Sequence, residues 1–149
     1  MAAMVSGLIL LAADDPAALA SFYAALLEVE AKPGRDHQHW RLNWPAGGKL
    51  EIYAPSRNRP QPRQAGRLAL GLQCRSDGAD PLVVLQSWLA VCAALGATLL
   101  EAPRRETFGV EAWLGDPEGN RLLLLVASSP EVPAKDSSLS PSPSVQEAQ

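Results

Sequence analysis

The sequence predicts an α+β protein made of two βαβββ modules, and three observations carry that reading. Two short apolar segments, 5–12 and 67–74, each lead to an Asp-Pro pair and then to an amphipathic stretch. The last two strands of each half align at one constant offset: Leu42, Pro45, Gly47, Lys49 and Leu50 recur as Leu114, Pro117, Gly119, Arg121 and Leu122. In both copies Pro-x-Gly lies between alternating apolar runs. Pro presets φ and Gly accepts φ > 0, which is the chemistry of a hairpin turn.

The elements follow in order. Segment 5–12 is the first strand. Asp15 is placed to cap the next helix with its carboxylate, and Pro16 suits the first helical position, where a missing N–H costs nothing. Leu19, Phe22, Tyr23, Leu26 and Leu27 share one stripe, which predicts a helix over 15–28 packed by that face. Three short strands then close module one, at 5–54. Residues 55–66, with three prolines and three arginines (Arg57, Arg59 and Arg63), are a linker. Module two, 67–127, repeats the pattern. Its strand 67–74 leads to Asp80 and Pro81, then to a helix over 80–95 with the stripe Leu82, Leu85, Trp88, Leu89, Cys92 and Leu95. Three further strands follow. Both modules form one domain, 1–127. Half of residues 128–149 are Ser or Pro and none is aromatic, so this end is expected to be a disordered tail.

Composition excludes several classes. Of 149 residues, 47% are hydrophobic and 19% charged, enough apolar surface for a core. A net charge of −3 and a pI near 5.3 argue against nucleic acid as a partner. No apolar run approaches the ~20 residues of a membrane span. Positions 1–14 hold no Lys or Arg, so no secretory signal is expected and the protein reads as cytoplasmic. Cys74 and Cys92 form no CxxC and read as small core fillers. GxSxG, Walker and GxGxxG signatures are missing, which leaves hydrolase, NTPase and dinucleotide readings without support.

Two motifs point further. Leu8-Ile9-Leu10-Leu11 runs on to Asp15, then to Ser21-Phe22-Tyr23 and Leu26-Leu27. Gly115-Asp116-Pro117-Glu118-Gly119-Asn120 precedes an apolar strand. With the paired βαβββ pattern, residues 5 to about 127 resemble the vicinal-oxygen-chelate superfamily, which includes glyoxalase I, bleomycin-resistance proteins and extradiol dioxygenases. The resemblance implies the glyoxalase/bleomycin-resistance/dioxygenase fold: a cupped mixed sheet around a cleft, helices outside, commonly in a homodimer. Catalytic members hold a divalent metal there on four strand positions. Carried over, these fall on Leu8, Arg67, Glu51 and Leu123. Only Glu51 has a donor atom for a metal, and one carboxylate does not make a site, so no metal cofactor is expected.

Strand parity places the rest. If Leu50 and Ile52 face the helix, Glu51 and Tyr53 face the cleft, with His37, His39, Arg41 and Asn43 beside them and Glu111 and Trp113 on the equivalent face of module two. An Arg67 guanidinium, helped by Arg41, would take the cationic role of a metal, with Glu51 as its counter-ion. The plainer reading is a set of solvated rim charges. His37-x-His39 reads as a metal pair or as surface histidines. Trp113 reads as an apolar wall for an aromatic ligand or as a dimer contact, and Trp88 as core.

The leading functional expectation is therefore a metal-independent binding protein: a small homodimer holding an apolar or aromatic, even anionic, small molecule against Arg41, Glu51, Tyr53, Arg67, Trp113, Leu8 and Leu123. One alternative is a lyase or dioxygenase-type enzyme with a displaced metal site, or with Glu51 as catalytic base. Another is a non-catalytic structural or interaction protein whose cleft is filled by Leu8, Leu123 and Trp113.

Overall fold

The computed structural model describes residues 4–45, 47–57 and 68–128. The expected tail beyond residue 128 and most of the expected linker, with Arg59, Arg63 and the site candidate Arg67, lie outside the described residues.

The described chain runs β1 (Leu8–Ala12), α1 (Pro16–Leu27), β2 (Lys32–Pro33), β3 (His39–Asn43), β4 (Lys49–Tyr53), β5 (Leu70–Arg75), α2 (Pro81–Ala94), β6 (Thr98–Glu106), β7 (Gly109–Gly115) and β8 (Arg121–Ala127). This is βαβββ twice. The two four-stranded sheets share one topology, β1-β4-β3-β2 and β5-β8-β7-β6, with the first strand of each module parallel to its last and the other pairs antiparallel. No helix among the described residues is long and apolar enough to cross a membrane.

Both helices start as their sequences dictate. Asp15 accepts the Ala18 N–H at 3.1 Å and Asp80 the Leu82 N–H at 3.0 Å, each ahead of a proline at the helix start. The Leu82 N–H, with Arg105 beside it, holds the Asp80 carboxyl below the usual carboxylate range. The hairpin glycines take the required geometry, with φ of 109° at Gly47 and 86° at Gly119. β1 and β5 begin later than expected, at Leu8 and Leu70. Among the described residues their parallel pairing starts at Leu8 with Lys49 and at Leu70 with Leu122.

The core forms where helix stripes meet alternate strand residues. Leu19, Phe22 and Tyr23 of α1 lie over Leu42, Leu50 and Ile52, and Leu85 and Cys92 of α2 over Leu114, Leu122 and Leu124, in one continuous buried cluster. Trp88 packs against it, as expected of a stripe residue. Burial pushes the Cys92 thiol up to about 11 and raises that of Cys74, consistent with core fillers rather than nucleophiles.

The Asp-Pro-Glu-Gly-Asn turn joins the modules. Asp116, buried, accepts the backbone N–H groups of Glu118 and Asn120 on Oδ1, each at 2.9 Å. On Oδ2 it accepts the Asn120 side-chain amide at 2.9 Å and the Tyr23 hydroxyl of α1 at 2.7 Å. Glu118 reaches back to accept the Asp14 and Asp15 N–H groups just ahead of α1.

Candidate functional site

Even-numbered residues of β3 and β4 face the core, which turns the odd-numbered ones to the opposite, open face of the sheet. Strand pairing lines them up in rows: Leu8, Lys49 and Asn43; then Leu10, Glu51, Arg41 and Lys32; then Ala12, Tyr53 and His39. The expected parity therefore holds for Glu51, Tyr53, His39, Arg41 and Asn43. It fails for His37, which sits exposed in the turn ahead of β3. The Gly34-Arg35-Asp36 segment and residues 37–38 form that turn, so only His39 of the pair belongs to the strand.

Glu51 is the centre of the face. Its side chain is 14% exposed, its Oε1 takes the Arg41 Nε–H at 2.6 Å, and its Oε2 lies 3.6 Å from His39 Nε2. His39 is buried, and its Nδ1 accepts the Arg35 N–H at 2.9 Å. A neutral imidazole that accepts at Nδ1 carries its proton on Nε2, the nitrogen facing Glu51. Gly34 makes this possible: a Cβ there would collide with the His39 ring at Nδ1, Cγ and Cε1. Among the described residues the counter-ion of Glu51 is thus Arg41, with His39 alongside; the expected partner Arg67 lies outside them.

The register also revises the repeat arithmetic at the first strand. Ile9 pairs Leu50 and Leu70 pairs Leu122, so β1 and β5 correspond at a shorter spacing than the later strands, and the match of Leu8 is Ala69, not Arg67. The constant offset holds for the last two strands of each module. There Arg41 matches Trp113, Glu51 matches Leu123, His39 matches Glu111 and Tyr53 matches Leu125. Module two thus presents indole and leucines where module one presents charge. Its polar groups satisfy one another. Arg104 bonds Glu111 at 2.5 Å and Glu106 at 2.7 Å, and the Glu111 bond leads the effects that raise the guanidinium's pKa. The Arg121 guanidinium stands 5.6 Å from the Trp113 ring centroid. A cavity of about 130 Å³ lies beside Trp113, lined also by Glu101, Ala102, Arg104, Glu111 and Ala112.

The family's metal does not fit these residues. Among the described residues the only partner available to join Glu51 on an ion is His39, whose facing nitrogen holds a proton, and the Arg41 guanidinium already occupies the Glu51 carboxylate. Among the described residues no three of His, Cys, Asp and Glu converge. Glu51 is also poorly placed as a base, since one carboxylate oxygen is bonded to a cation and the other faces an N–H. Leu8 is 53% exposed on this face. The Tyr23–Asp116 bond escaped the sequence reading, although a phenol in a buried stripe needs a partner for its hydroxyl.

A glyoxalase-like domain model matches residues 8–125. The chain belongs to the glyoxalase-like domain family. Among solved structures this glyoxalase-like chain is similar to hypothetical protein SA1046 from S. aureus, at 12% identity and a TM-score of 0.67 over 85% of this chain and 96% of that one. It is similar to a glyoxalase/bleomycin resistance protein/dioxygenase family enzyme from Burkholderia phytofirmans PsJN, at 17% identity and a TM-score of 0.66 over 80% and 96%. It is also similar to lactoylglutathione lyase from Agrobacterium tumefaciens, at 21% identity and a TM-score of 0.51 over 82% and 91%. At such identities these likenesses speak for the glyoxalase-like fold alone. No curated protein matches the chain.

Proposed function

We propose that this glyoxalase-like protein is a metal-independent binder of a small apolar or aromatic molecule, held between the open faces of its two modules. The observation that carries the reading is the replacement of like by unlike at equivalent positions. Glu51, held by Arg41 and His39, makes one wall polar, while Leu123, Leu125 and Trp113 make the other apolar. An apolar wall with a few convergent polar groups is the usual make-up of a small-molecule site. The cavity beside Trp113 alone is too small to enclose an aromatic molecule, so the reading needs the module-one face as its second wall. A homodimer belongs to the proposal: β1 is an edge strand of its sheet among the described residues, with a backbone side that a second copy would cover.

Tryptophan fluorescence tests the reading. Aromatic probes such as 2-naphthamide are expected to quench the native protein saturably, and Trp113→Leu to remove most of that quenching while the fold persists by circular dichroism. Native mass spectrometry of protein purified without chelators should show a dimer and no stoichiometric metal. Failure of aromatic probes to bind, or a stoichiometric zinc, nickel, iron or manganese lost in Glu51→Gln, overturns the reading.

A further inference from the structure

Arg41 uses only part of its guanidinium. Its Nε–H is tied to Glu51, while its two terminal amino groups have no partner among the described residues, and its side chain is 46% exposed on the open face. The tie matters because an arginine free in solvent loses much rotamer freedom on binding an anion. Here Glu51 has already fixed the plane of the guanidinium, and Glu51 is itself fixed beside the buried His39. Two parallel N–H donors on neighbouring amino groups match the two oxygens of a carboxylate.

The charge of the face agrees. Along the strand rows Lys32 lies opposite Arg41, and Lys49 lies two positions from Glu51 with its ammonium on the Asn43 side-chain oxygen. Three cations therefore face one carboxylate, and a surplus of positive charge remains after Glu51 is satisfied. Glu51 sets an upper limit as well, because a dianion at Arg41 would meet its repulsion twice over, whereas a monoanion would not.

The repeat gives the rest of the ligand. The residue equivalent to Arg41 is Trp113. With the two open faces as the walls of the cleft proposed above, equivalent positions of two sheets of the same topology lie at matching depths on opposite sides. We propose that Arg41 binds the anionic group of the ligand through its terminal amino groups, and that the ligand is an aromatic monocarboxylate whose ring lies against Trp113. This rests on the binding reading above and narrows its ligand class.

Calorimetric titration of the full chain with 2-naphthoate and with its neutral counterpart 2-naphthamide tests the inference. The native protein is expected to bind naphthoate at least about tenfold more tightly, the scale of one charge-assisted bidentate contact, with salt weakening naphthoate more than naphthamide. Arg41→Gln alone would strand Glu51, so the comparison uses Arg41→Gln/Glu51→Gln, which removes both charges and keeps similar shapes. In that variant the two affinities should converge to within about threefold, with naphthamide binding retained. Equal affinities in the native protein, a preference that survives in the double variant, or tighter binding of 2-naphthyl phosphate than of naphthoate overturns the carboxylate assignment and leaves the binding reading standing. If neither naphthoate nor naphthamide binds, the binding reading itself falls, and this inference with it.

Discussion

Tyr23 donates its hydroxyl to Oδ2 of Asp116 across 93 residues of sequence, at 2.7 Å and out of contact with solvent. The bond ties the outer helix of module one to the last hairpin of module two. Asp116 would otherwise face that helix with a carboxylate oxygen satisfied only by Asn120. Removing the hydroxyl in Tyr23→Phe leaves a buried acceptor short of one donor, a loss of about 1–3 kcal/mol. Urea unfolding of the two proteins measures it. A change indistinguishable from zero would mean that this bond adds nothing to the joining of the modules.

Alkaline pH should unfold the protein through two named groups. Burial holds the Cys92 thiol up to about 11, and burial followed by the Asp116 charge holds the Tyr23 phenol above its ordinary value. Both groups prefer their protonated form in the fold. The stability they contribute is complete below their unfolded values and is lost as pH rises, first for the thiol from about pH 9 and then for the phenol above about pH 10, at about 1.4 kcal/mol per pH unit for each group. In Tyr23→Phe the curve of stability against pH should be shallower above pH 10 and unchanged in slope below it. The same slope in both proteins would remove Tyr23 from the account.

Arg41 and Glu51 should be coupled. Arg41→Gln leaves Glu51, 14% exposed, with only a neutral imidazole beside it, a cost of about 1–3 kcal/mol given that Arg41 is half exposed. Glu51→Gln in the same chain should recover most of that loss. A double-mutant cycle on the unfolding free energies reads the coupling, and a value near zero would reduce the pair to two independent surface charges.

The His39 tautomer is open to direct measurement. The imidazole nitrogens in ¹⁵N spectra should show a protonated Nε2 and an unprotonated Nδ1 near neutral pH, following the hydrogen bond from Arg35. Gly34→Ala should displace the ring, shift both signals and destabilise the protein by about 1–3 kcal/mol through overpacking. Unchanged signals would show that the ring has room the structure does not give it.

Much of this fold is legible in the sequence because its signals are local. An aspartate ahead of a proline starts a helix, Pro-x-Gly turns a hairpin, and alternation assigns faces within a strand; Asp80, Gly119 and Glu51 need nothing more. The constant offset is equally legible in the last two strands, where the hairpin keeps its length. It does not carry to the first strand. Module two has a nine-residue β6 where module one has the two-residue β2, and its helix is longer, so β1 and β5 correspond at a shorter spacing. Arg41 reads only as a helper in the sequence, because pairing of a carboxylate with a residue directly across the hairpin depends on register. The contacts of Tyr23 with Asp116 and of Glu118 with Asp15 join distant parts of the chain, and no periodicity encodes them.

That last contact bears on synthesis. The N–H groups of Asp14 and Asp15 find their acceptor in Glu118, in the last hairpin of module two. While a ribosome is still making module two, the entrance to α1 is uncapped on that side and Tyr23 lacks its partner. The first half emerges unfinished, waiting for the turn that completes it, and a chain released early is left with an open seam where a chaperone or a protease can take hold.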